Sequence, residues 1–86
     1  MTGNEWIVLA SIVTAGVTVA IGGIGPAVGE ARALSQALDA IARQPDASDR
    51  ITRTLFVGMA MVESTAIYAL VIALILLFAN PFVAAQ

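Results

Sequence analysis

The chain contains no cysteine and no histidine. The first absence excludes disulfides and thiolate metal sites. The second removes the usual zinc ligands and the hydrolytic triads built around an imidazole. Charge is also scarce, at 12% of 86 residues with a net value of −2. No basic patch is present, so a nucleic-acid partner is excluded. The opening Met1-Thr2-Gly3-Asn4-Glu5 lacks the basic residues of a signal peptide, so the apolar run after it is read as retained. What fills the sequence instead is apolar. Hydrophobic residues make up 59% of it, and mean hydropathy is +0.93. A soluble unit of this size would need a far larger polar shell. The class is a small integral membrane protein.

Two long apolar runs carry the organisation. The first begins beside Trp6, an aromatic suited to the membrane interface, and stays uncharged from Ile7 to Gly29. It exceeds the roughly 20 residues needed to cross a bilayer as a helix. Glu30-Ala31-Arg32 comes next, then an amphipathic continuation through Ala42 and the polar segment Arg43-Gln44-Pro45-Asp46. Pro45 removes a backbone donor and biases Gln44 away from helix, which marks a turn. The second run extends from Thr54 to Ala79, and Asn80-Pro81 closes it. Neither run alternates with a period of two, so strands are excluded. The expected fold is all-α: a two-helix transmembrane hairpin, with helices over residues 4–43 and 47–80 and a loop over 43–47.

The basic residues are Arg32, Arg43, Arg50 and Arg53, all on the turn side of the spans. The positive-inside rule makes the turn cytoplasmic and sends both termini outward. Asp39, Asp46 and Asp49 give the loop mixed sign, which suits a docking surface, although solvation of a loop alone would explain the arginines.

Gly23-Ile24-Gly25-Pro26-Ala27-Val28-Gly29 places small residues at every second position. Two residues advance a helix by about 200°. Gly23, Ala27 and Ala31 therefore drift along one side, and Gly25, Gly29 and Ala33 along nearly the opposite side. Small faces let membrane helices approach closely. Two opposed faces call for a neighbour on each side, and such a chain of identical copies closes into a ring when its rotation permits. Pro26 is tolerable in a span when buried against other helices.

Glu63 interrupts the second run, with Ser64, Thr65 and Tyr68 close by. A charged carboxylate at such a depth costs about 3 kcal/mol on insertion scales. Glu63 should therefore be neutral, paired or turned toward protein when it meets lipid. Glu30 mirrors it about the turn. Each acid lies about 16 residues from the bend, roughly 25 Å at the helical rise, so both are expected at one depth. Two carboxyls so placed form a coupled pair that cannot cheaply carry both charges. The bland alternative is an acid that only bonds a neighbouring helix.

With these residues in view, the sequence resembles the c subunit of F-type rotary ATP synthases and their N-type relatives over nearly its whole length. The resemblance rests on the Gly23–Gly29 stripe, the loop Ala42-Arg43-Gln44-Pro45, the acid Glu63 and the tail Asn80-Pro81-Phe82. It implies a ring of proteolipid hairpins in the cell's inner or plasma membrane, with the first helix inside and the second outside. It further implies that Glu63 carries the ion past a stator a subunit, and that Arg43, Gln44 and Pro45 contact the gamma and epsilon subunits of the central stalk. Gly23, Gly25, Ala27 and Gly29 would pack the helices. Such a ring performs no bond chemistry and needs no cofactor; its cargo is H+ or Na+. The string Glu63-Ser64-Thr65…Tyr68 is similar to the sodium-binding variety, in which Ser64 would offer a hydroxyl, Thr65 a held water, and Tyr68 a hydrogen bond to Glu63. That variety usually carries Gln where this chain has Glu30, which shifts the expectation toward the proton. Were the ion sodium, Glu63, Glu30 and Ser64 would be its ligands. The competing functional class is a small oligomeric multidrug or ion transporter using Glu63 as its coupling acid. Such proteins normally need more spans, and no polar stripe here lines an aqueous path.

Overall fold

The computed structural model describes residues 2–83. Helix α1 runs over Gly3–Arg43, a single 3₁₀ turn over Pro45–Ala47, and helix α2 over Ser48–Phe78. The two helices lie antiparallel in a rod of 64 × 16 × 10 Å. Both are long and apolar enough to cross a membrane.

Local chemistry sets each end. Thr2 caps α1 by accepting from the Glu5 N–H, while the Glu5 carboxylate accepts from the Thr2 N–H, a reciprocal capping box. At the turn, the Gln44 N–H still reaches the Ala40 carbonyl at 2.8 Å. Pro45, with no N–H to offer, then occupies the first position of the 3₁₀ turn. Helix α2 ends at Phe78, and Asn80 organises the segment beyond it. Its Oδ1 accepts from the Phe82 N–H at 2.8 Å. Its Nδ2 donates across the hairpin to Ser11 Oγ at 2.5 Å. One amide therefore ends α2 and ties it to α1.

The seam between the helices is mostly small side chains, with Val8, Leu55, Met59 and Leu76 among them. On α1 the inward positions step by fours and threes through Val8, Ser11, Ala15, Thr18 and Gly22, and again through Glu30, Ala33, Ala37 and Ala40. That spacing averages 3.5 residues and keeps one stripe facing a near-parallel partner. Two successive steps of four, Gly22 to Pro26 to Glu30, interrupt it, a local phase shift of the stutter kind. The facing stripe of α2 includes Leu55, Met59, Ala66, Ala69, Ala73 and Leu76. Ala33 therefore lies in the seam and not beside Gly25 and Gly29.

Closest approach falls at Gly22. A Cβ added there would meet the Ala69 Cβ at 2.7 Å, which no real pair of carbons tolerates. Gly16, Gly23, Gly25 and Gly29 have open space around them and leave their small faces to the outside. Only three residues are buried among those described: Ala15, Ala37 and Ala73. Large side chains such as Ile21, Met61 and Phe78 project outward from the hairpin. Apolar surface of this extent requires lipid or sister chains to cover it.

Gly22 thus sets the interhelical distance. Gly22→Val is expected to destabilise the hairpin by about 1–3 kcal/mol through overpacking. Gly58→Ala, which meets open space, should be near neutral within one hairpin. Thermal unfolding followed by circular dichroism in detergent separates the two.

Candidate functional site

The site is built where the seam changes phase. Glu30 ends the pair of four-residue steps and faces α2, half-buried. Glu63 is exposed at the edge of the seam, and the two carboxyls come within hydrogen-bonding reach of each other. Three cross-hairpin meetings share nearly the same register: Ser11 with Asn80, Gly22 with Ala69, and Glu30 with Glu63. The carboxyl pair is therefore fixed by the same packing that brings Gly22 against Ala69.

The hydroxyls nearby behave differently from one another. Ser64 Oγ donates to the Ala60 carbonyl at 3.0 Å, the common back-bond of a serine within a helix. Its lone pairs stay available as acceptors. Thr65 is exposed, outside the contact between the helices. Tyr68 is 69% exposed and points away from the hairpin. Its hydroxyl meets no partner among the described residues. Glu30 and Glu63 are brought together by one chain, whereas Tyr68 requires a second chain to reach any site. No group of three or more His, Cys, Asp or Glu side chains gathers among the described residues.

Pro26 adds a backbone feature beside the pair. It lies inside α1 without breaking it. Lacking an N–H, it leaves the Gly22 carbonyl without the donor that an i+4 residue normally supplies. Small neighbours across the seam, Ala66 and Ala69, keep that stretch narrow.

The loop is exposed at Arg43, Gln44 and Pro45. Arg43 Nη2 pairs with Asp39 Oδ2 at 3.0 Å, one turn back on α1. Both side chains are largely in solvent, so the pair orients the arginine and contributes roughly 0.3–0.5 kcal/mol. Of the sequence-derived packing residues, Gly23 is half-buried, while Gly25, Ala27 and Gly29 are exposed on the flanks of α1. Two contributors escaped sequence reasoning: Gly22, the contact glycine, and Ser11, the partner of Asn80. The mirror arithmetic that pairs Glu30 with Glu63, carried outward along both helices, would have found the second.

Two spanning helices, a seam of mostly small residues and a pair of carboxyls at its edge define a class: membrane hairpins whose outer faces are left for lipid or sister copies. Comparison with known proteins narrows the class. A family model for the C subunit of ATP synthase matches residues 13–76. The ATP synthase c subunit 2 of Cereibacter sphaeroides is 60% identical over 78 residues, covering 91% of this chain and 94% of that protein. The chain belongs to the ATP synthase c-subunit family, the hairpins that form the rotor ring of the membrane sector.

The free hydroxyl of Tyr68 generates a prediction. Tyr68→Phe should leave helicity and thermal unfolding of the detergent-solubilised monomer unchanged, within about 0.5 kcal/mol. In the assembled ring it should alter the rate at which a carbodiimide modifies Glu63. An equal change in the monomer would show that Tyr68 acts within one chain.

Proposed function

We propose that Glu63, together with Glu30, is the ion carrier of this rotor hairpin, with the proton as its ion in preference to sodium. The observation that carries the reading is that the two carboxyls lie within hydrogen-bonding reach of each other, Glu30 half-buried at the seam and Glu63 exposed beside it. Once hydrocarbon surrounds the ring, two carboxyls this close hold at least one proton between them, since both charges together repel. The loaded pair carries a proton on each carboxyl and passes through hydrocarbon without the insertion cost of a bare charge; Glu30 keeps its proton when Glu63 releases. Beside a stator cation, Glu63 gives up its proton and stands as a carboxylate until it reloads. Rotation through lipid therefore requires loading, and ion flow is coupled to ring rotation and to ATP synthesis or hydrolysis elsewhere in the complex.

In this reading α1 lines the inside of the ring and α2 its outside. The small flanks at Gly23 and Ala27 and at Gly25 and Gly29 admit a neighbouring copy on each side. The exposed Arg43, Gln44 and Pro45 contact the gamma and epsilon subunits of the central stalk on the cytoplasmic side, and the a subunit supplies the stator cation. All four arginines lie toward the turn, which supports a cytoplasmic loop and outward termini in the cell's inner or plasma membrane. Sodium would need oxygens beyond the two carboxyls, from Ser64, from a water held at Thr65 or from a neighbouring copy. Tyr68 would steady Glu63 across the boundary between copies.

Glu63→Gln is expected to leave the ring assembled and to abolish ATP-driven ion pumping in reconstituted vesicles. Retained pumping would refute the carrier assignment. Carbodiimide labelling of Glu63 distinguishes the ions: a proton site reacts with a rate set by pH and indifferent to sodium. Strong protection by millimolar sodium near neutral pH would overturn the proton reading. Glu30→Gln replaces the second acid with a neutral amide and should make labelling sensitive to sodium where the native ring is not.

A further inference from the structure

On the loop side of the carboxyl pair the two flanks of the hairpin differ in shape. Ala37 is buried in the seam on α1, and Leu55 is half-buried in it on α2. Successive residues of a helix stand about 100° apart, so the two neighbours of a seam residue turn to opposite flanks. Gln36 and Thr54 precede these seam residues and turn to one flank. There they border a groove of about 380 Å³, together with Arg50 and with Ala33, Ala37 and Leu55 from the seam. Leu38 and Phe56 follow the same seam residues and turn to the other flank, where they are 59% and 65% exposed. Leu34, four residues before Leu38, is exposed beside them. One flank thus carries a hollow, and the other carries bulky apolar side chains at the same height.

Charge follows the same division. Arg50 borders the groove, whereas Asp49 lies seven residues before Phe56 and shares its flank. Neither the Asp49 carboxylate nor the Arg50 guanidinium has an ion pair or hydrogen bond among the described residues. Arg53 reaches only the Asp49 backbone carbonyl, at 3.3 Å. Copies related by rotation about a ring axis keep each residue at one height. A neighbour's Leu38 and Phe56 therefore arrive level with the groove, and its Asp49 within one residue's rise, about 1.5 Å, of Arg50. Acyl chains are a poor cover for Leu34 and Leu38, because the same stretch of α1 carries Arg32, Ser35 and Asp39.

We infer that each groove receives Leu38 and Phe56 of the next copy in the ring, with that copy's Asp49 paired to Arg50 at the loop-side rim. The inference rests on the flank-to-flank arrangement of copies proposed above and is independent of which ion is carried. The contact joins unlike surfaces, knob to hollow, and contacts of that kind close into rings. It also bears on the carrier site. Leu34 follows Glu30 by four residues, and Phe56 precedes Glu63 by seven. The seated side chains therefore stand on the flank of the carboxyls, between them and the loop-side water. They close the boundary between copies to water from that side.

The absence of native cysteine makes the test direct. Leu38→Cys and Thr54→Cys in one chain stand on opposite flanks and cannot bridge within a hairpin. Oxidation of the purified ring, or treatment with a short bismaleimide, should link its copies into a ladder of covalent oligomers. Either cysteine alone should give none. A ring counted as assembled by native mass spectrometry that yields no ladder overturns the seating and leaves the arrangement of copies standing. A chain that forms no ring overturns both. Asp49→Arg and Arg50→Asp should each lower the share of rings surviving heat in mild detergent by about twofold, and the two together should restore it. Unchanged survival in both single variants, the result expected if lipid or another subunit fills the groove, removes the ion pair. Phe56→Ala should raise the rate at which a water-soluble carbodiimide labels Glu63 in the ring by about twofold or more. An unchanged rate beside an intact ladder overturns the closure and leaves the seating.

Discussion

Moving a carboxylate through hydrocarbon costs about 3 kcal/mol on insertion scales, and more without local adjustment of the lipid. A family whose members turn within a membrane must answer that cost at every step. In this chain the answer is local: a second, half-buried acid lies within hydrogen-bonding reach of Glu63 at the edge of the seam. On the proposed reading, protons held by the two acids lower the charge at the site. Loop position, glycine placement and helix length all serve to keep those two carboxyls level.

That alignment depends on how closely the helices approach. Hydrocarbon supplies no hydrophobic force between membrane helices, so contact comes from close packing and from hydrogen bonds across the seam. Gly22 against Ala69 provides the first and Asn80 with Ser11 the second. The two lie on the terminal side of the acidic pair, while the 3₁₀ turn at Pro45–Ala47 closes the other end. The carboxyls are thus held between two fixed points, and neither helix can slide without breaking one of them.

Much of this was legible in the sequence. The two spans follow from apolar runs bounded by Trp6, Pro45 and Asn80-Pro81. The facing of Glu30 and Glu63 follows from rigid helical rise on both sides of a short turn. The contact glycine was hidden because Gly22-Gly23-Ile24-Gly25 offers three candidates within one helical turn. Only the phase of the whole seam, from Val8 inward, singles out Gly22. The same phase, shifted by the steps around Pro26, explains why Ala33 faces α2 when spacing from Gly25 and Gly29 placed it elsewhere. The back-bond of Ser64 to Ala60 was equally hidden, since a serine hydroxyl in a helix chooses among several acceptors with little energetic difference.

With only Ala15, Ala37 and Ala73 enclosed among the described residues, the chain has almost no interior of its own. In a bilayer, much of its stability is then supplied by its neighbours. Mass action ties the persistence of each hairpin to the supply of others. Dilution into lipid becomes a denaturing variable in its own right, and a substitution on an outward flank is felt as a change in how many copies must be present before any of them is stable.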